Sequence, residues 1–93
     1  MQELTKFDIL DYLKTEEDFK IALQVAFEDD PGDGSLVVTV LGDIAKARGM
    51  TQLAKDTGLS RESLYKSLSG KSRPEFATIL KVSRALGFNL AVQ

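Results

Sequence analysis

The segment Leu53-Ala54-Lys55-Asp56-Thr57-Gly58-Leu59-Ser60-Arg61-Glu62-Ser63-Leu64 decides the fold, because its residue types have the spacing of a helix-turn-helix. Gly58 can take the positive φ that ends one helix and turns the chain. Ser60 can then cap a second helix through its hydroxyl. Ala54 is small where the two helices must cross closely, and Leu53, Leu59, Leu64 and Leu68 can fill the wedge between them and a scaffold. Arg61 and Glu62 fall in the first turn of the second helix, where a recognition helix meets base edges in the major groove. Two short helices are therefore predicted, one from Met50 to near Thr57 and one from Ser60 to Leu68.

The exposed side of the second helix offers donors to bases and phosphates. Ser60, Arg61, Glu62 and Lys66 are the base-side candidates, with Tyr65 four residues after Arg61 on the same side. Lys71 and Arg73 in the following Ser69-Gly70-Lys71-Ser72-Arg73 loop, and Lys55 before the turn, are candidates for the sugar-phosphate backbone. A solvated basic face is the plainer reading of the same charges.

Outward from this segment, apolar spacing of three and four residues predicts a chain that is almost entirely helical. Pro74 opens a longer helix ending at Gly87, with Phe76, Ile79, Leu80, Ser83 and Leu86 as its buried stripe. Phe88, Leu90 and Val92 then alternate with Asn89, Ala91 and Gln93, which predicts a short C-terminal strand or extended tail, able as a strand to pair with its twin in a homodimer. On the other side, Ser35 caps a scaffold helix running to Arg48, whose Val37, Val40, Leu41 and Ile44 face inward. Asp29-Asp30-Pro31-Gly32-Asp33-Gly34 breaks the chain into an exposed loop. Thr15-Glu16-Glu17-Asp18 starts the first clear helix, with Phe19, Ala22, Leu23, Ala26 and Phe27 as its apolar stripe. Phe7, Ile9, Leu10, Tyr12 and Leu13 read as a short leading helix or docked arm.

Composition bounds the function. Ninety-three residues fit a single domain, read as an acidic N-terminal arm over 1–30 and a helix-turn-helix core over 35–87. The absence of Cys and His removes disulfides, thiolate nucleophiles, imidazole bases and most zinc sites. No Ser-Lys or carboxylate pair sits in a recognisable nucleophile turn, so neither an enzyme nor a cofactor is expected. No apolar run approaches the roughly 18 residues of a membrane span, and no secretory signal opens the chain, which predicts a cytoplasmic protein. Met1 to Asp43 holds eleven acidic residues against three Lys, a balance of −8, whereas Ile44 to Gln93 holds nine Lys or Arg against three acids, a balance of +6. The basic half can approach phosphate although the whole chain is acidic, because salt screens each field beyond about 8–10 Å.

Four stretches, joined over nearly the full length, carry a resemblance: Leu4-Thr5-Lys6-Phe7-Asp8; Asp11-Tyr12-Leu13-Lys14-Thr15-Glu16-Glu17-Asp18; Leu41-Gly42-Asp43-Ile44-Ala45-Lys46-Ala47-Arg48-Gly49-Met50-Thr51; and Gly58-Leu59-Ser60-Arg61-Glu62-Ser63-Leu64-Tyr65-Lys66. In them the chain resembles the addiction-module antidote proteins, small antitoxins of the HigA-like group with an XRE-type, phage-repressor-like helix-turn-helix. Many repressors share the helix-turn-helix portion; the N-terminal pattern is more selective. The resemblance implies an all-α fold of five to six helices, lambda-repressor-like. It also implies an antitoxin that neutralises a RelE/HigB-like ribonuclease toxin and represses the operon encoding both. Phage repressors begin the first motif helix with a Gln that touches phosphate; Met50 stands in that place here, with Gln52 two residues later.

Two other readings belong beside it. One is a protein-binding inhibitor without specific DNA binding, whose Glu16, Glu17, Asp18, Glu28, Asp29 and Asp30 compete for a toxin's cationic RNA-binding site; the plainer reading of those acids is helix-start stabilisation and a solubilised loop. The other is a stand-alone XRE-type repressor that senses a metabolite.

Overall fold

The computed structural model describes residues 13–71 and 73–89, and five helices lie within them: α1 (Glu16–Asp29), α2 (Ser35–Arg48), α3 (Met50–Thr57), α4 (Arg61–Ser67) and α5 (Phe76–Ala85). The leading helix or arm expected over Phe7 to Tyr12 lies outside the described residues, although Leu13 itself is buried in the core. α1 and α2 form a helical hairpin, α3 packs on α2, α4 and α5, and α5 returns to α2.

α1 begins as the sequence predicts. Thr15 Oγ1 accepts from the Asp18 amide at 3.1 Å, while Asp18 Oδ2 accepts from the Thr15 amide at 3.0 Å, a reciprocal capping box. The start of α2 differs from expectation. Its N-cap is Gly34, at φ 81°, and Ser35 is already helical. The capping falls to Asp30, whose Oδ2 accepts from the Leu36 and Val37 amides at 3.0 and 3.1 Å, and whose Oδ1 accepts from Gly32 and Gly34 at 2.8 and 2.9 Å. One carboxylate thus folds the loop and satisfies two of the amides that a helix start leaves open.

The core joins Leu13, Phe19 and Ala26 to Val40, Leu41, Ile44 and Ala45 of α2, Met50 and Leu53 of α3, Leu64 and Leu68 from α4 and its end, and Val82 and Leu86 of the last helical segment. Asp43 is buried within α2 as well. Two expected inward residues turn out: Phe27 is 57% exposed and Phe76 66%. Phe27 is turned about 100° from the buried Ala26, at the edge of the stripe, and Phe76 is the first residue of α5. Val82, which the expected stripe leaves out, is the fully buried residue of α5.

The expected C-terminal strand is overturned. No strand occurs among the described residues, and Leu90 to Gln93 lie outside them. The Phe88 amide donates to Ser83 O at 2.8 Å and the Gly87 amide to Arg84 O at 3.0 Å, with Gly87 at φ 89°. This is a Schellman closure of α5, in which the residue after the glycine packs back on the helix. Phe88 accordingly rests against the core, and its amide is spent on the helix end instead of a ladder.

Candidate nucleic-acid interface

Four hydrogen bonds tie the α3-turn-α4 unit together. Gly58 closes α3 at φ 76°, its amide donating to Ala54 O at 3.0 Å. Thr57 Oγ1 donates to Leu53 O at 2.8 Å and accepts from the Leu59 amide at 3.3 Å, which ties the turn to the helix it leaves. Ser60 then caps α4, its Oγ accepting from the Ser63 amide at 3.0 Å.

The inner side of α4 fixes where its outer side points. Leu64 is fully buried and Leu68 nearly so, and Leu68 meets α2 at Gly42. A Cβ on Gly42 would stand 2.7 Å from Leu68 O and 3.3 Å from its Cβ, so only glycine permits this approach. The loop beyond is pinned as well: Gly70, at φ 79°, lies where a Cβ would be 2.7 Å from Thr39 Oγ1. Sequence reading gave Gly42 no role. Its signal is a glycine inside the mostly apolar helix Ser35–Arg48, where helix propensity alone disfavours it.

With Leu64 and Leu68 turned in, Arg61, Glu62, Tyr65 and Lys66 share the exposed side of α4. The Arg61 guanidinium lies over the Tyr65 ring, 5.9 Å from its centroid, so these two are brought together. Ser60 is exposed at the helix start with its hydroxyl engaged in the cap. Lys55 is exposed on α3, and Lys71 and Arg73 are exposed in the loop after α4. Met50, the first residue of α3, is buried at 6% exposure. Gln52 donates to Asp56 Oδ1 at 2.9 Å.

The six acids set aside for a toxin divide. Asp18 is held in the α1 cap, and the Lys14 amide, followed by that of Thr15, keeps its carboxyl below the usual range. Asp30 is likewise lowered, chiefly by the Gly32 amide. Glu16 pairs with Arg48, whose guanidinium also lies 5.3 Å from the Phe19 ring centroid and ties α1 to the end of α2. Glu17, Glu28 and Asp29 are exposed. Among the described residues, no group of His, Cys, Asp or Glu is arranged to hold a metal ion, and no helix is long and apolar enough to cross a membrane.

Residues 3–93 match the family of the probable addiction module antidote protein. The chain belongs to this family. An uncharacterised protein of Haemophilus influenzae is 44% identical over 92 residues, covering 99% of this chain and 93% of its own. No solved structure matches significantly. Family membership places the chain among antidotes and not among enzymes, and an antidote implies a toxin as its partner.

Proposed function

We propose that this antidote is a HigA-like, XRE-type DNA-binding autorepressor that also neutralises a RelE/HigB-like toxin in the cytoplasm. The observation that carries the DNA-binding half is the α4 surface: Arg61 stacked on Tyr65, beside Glu62 and Lys66, on a helix locked to α2 through Leu64, Leu68 and Gly42. A rigid helix with exposed, oriented donors suits the major groove, where an Arg pairs with two acceptors of guanine.

On this reading the core over 35–87 reads DNA, with Ser60, Arg61, Glu62, Tyr65 and Lys66 at the bases. Lys55, Lys71 and Arg73 hold phosphates. A homodimer places two copies of α4 in successive major grooves about 34 Å apart, on a palindromic operator. The acidic region over 1–30 faces the toxin, and its exposed Glu17, Glu28 and Asp29 are the acids available for that role. The groove between α3 and α5, lined by Asp56, Thr57, Lys81, Arg84 and Ala85, is open to solvent, which disfavours a metabolite sensor.

Two assays in cells test both halves. A reporter fused to the DNA upstream of the coding sequence should be repressed by the full chain, and co-expression should rescue growth from the toxin of the same module. Rescue without repression would leave an inhibitor that does not regulate its own operon.

A further inference from the structure

The outer side of α1 carries apolar residues set among acids. At about 100° per residue, Phe19, Ala22, Leu23 and Ala26 turn to the core, and Glu17, Ile21, Gln24, Val25 and Glu28 fall on the opposite side. All five are exposed, Ile21 at 53% and Val25 at 46%. Ile21 and Val25 stand one turn apart, so their side chains are neighbours, with Glu17 one turn before and Glu28 one turn after. Among the described residues neither glutamate's carboxylate is spent on a cap or ion pair, unlike those of Glu16, Asp18 and Asp30. Helix stability does not account for the apolar pair, because β-branched side chains form helices less well than the Ala, Glu, Lys or Gln that suit a solvent face.

We propose that this face of α1 is where the antidote seats its toxin, with Ile21 and Val25 entering an apolar depression and Glu17 and Glu28 facing cationic side chains at its rim. The inference rests on the antitoxin reading above and assigns that reading its surface. Charge selects the occupant. A second copy of the chain meeting this face about a two-fold axis would bring Glu17 and Glu28 against acids of the same sign. A partner with a basic rim gains from the same pattern, and the surrounding N-terminal half, at −8 over Met1 to Asp43, steers it inward.

The test is titration calorimetry of the full chain against the separately purified toxin of the same module, with sedimentation of each variant. Wild-type protein binds; Ile21→Ala/Val25→Ala loosens Kd by about tenfold or more, as loss of central apolar anchors does. Glu17→Gln/Glu28→Gln weakens binding at low salt and flattens the salt dependence of Kd. Phe27→Ala, on the other flank of α1, leaves affinity unchanged. Should the alanine pair lower the melting temperature, Ile21→Gln/Val25→Gln provides the same loss on a helix-favouring side chain. An apolar-pair variant that binds toxin as tightly as wild type overturns the surface and leaves the antitoxin reading standing. The same result with altered self-association assigns the face to a second copy, which also overturns the proposal. Failure of the wild-type chain to bind or neutralise the toxin overturns the antitoxin reading itself.

Discussion

Gly42 lies directly beneath the carbonyl oxygen of Leu68, so close that a Cβ there would stand 2.7 Å from it. The residue that ends the proposed recognition helix thus rests on the backbone of the scaffold helix, and the absent side chain sets the height of α4 above α2.

Gly42→Ala therefore sets two effects against each other. Alanine improves helix propensity by about 1 kcal/mol. Overpacking against a main-chain oxygen costs about 1–3 kcal/mol, because backbone cannot rotate aside as a side-chain tip can. The clash wins. Urea denaturation should show a lower midpoint for the variant, and DNA affinity should fall with it as α4 is displaced.

Asp30 predicts how stability responds to acid. Its folded-state pKa is lowered from the ordinary 3.8, chiefly by the Gly32 amide and further by those of Val37, Gly34 and Leu36. The stability it contributes is fully present above the unfolded value and is lost as pH falls through the folded one. Asp30→Ala should lower the melting temperature at neutral pH, and the gap from wild type should close below the folded pKa of Asp30. Asp18, lowered by the Lys14 and Thr15 amides, and Asp33, lowered mainly by the Ser35 hydroxyl, keep part of the acid sensitivity in the variant.

Ser60 has two separable parts to play. Ser60→Ala removes the cap of α4 and should cost about 0.5–2 kcal/mol in chemical denaturation. Ser60→Asp keeps a cap and should retain stability, yet it places a negative charge on the base-facing end of α4, against a polyanion. Its DNA affinity should fall while its denaturation midpoint stays near that of wild type.

Much of this was legible in the chain. Gly58 and Ser60 punctuate α3 and α4 by local chemistry, and the structure uses both as the sequence predicts. Leu64 and Leu68 were readable because three- and four-residue spacing reports a buried face. Longer-range facts were not. Gly42 reads as a weak point in a helix until Leu68 is brought against it. Asp30 caps a helix from six and seven residues away, so the nearby Ser35 was the better local candidate. The alternation from Phe88 onward resembled a strand, but the Phe88 amide already closes α5. The acids of the N-terminal half looked equivalent as charges, and only their hydrogen bonds separate Asp18 and Asp30 from Glu17 and Glu28.

Lys71 separates phosphate contacts from base contacts. It is exposed in the loop after α4, beyond the helix register that carries Arg61 and Tyr65. Lys71→Ala should weaken specific and scrambled duplexes alike and reduce the salt slope by about one.

The most direct measurement is equilibrium binding of the full chain to the DNA upstream of its coding sequence and to a scrambled duplex, for wild type and Arg61→Ala. The account predicts a preference for the upstream DNA, with the variant losing about 1–3 kcal/mol of it and retaining nonspecific, salt-sensitive binding. Equal affinity for both duplexes in the wild-type protein, or an unchanged preference in Arg61→Ala, would contradict it.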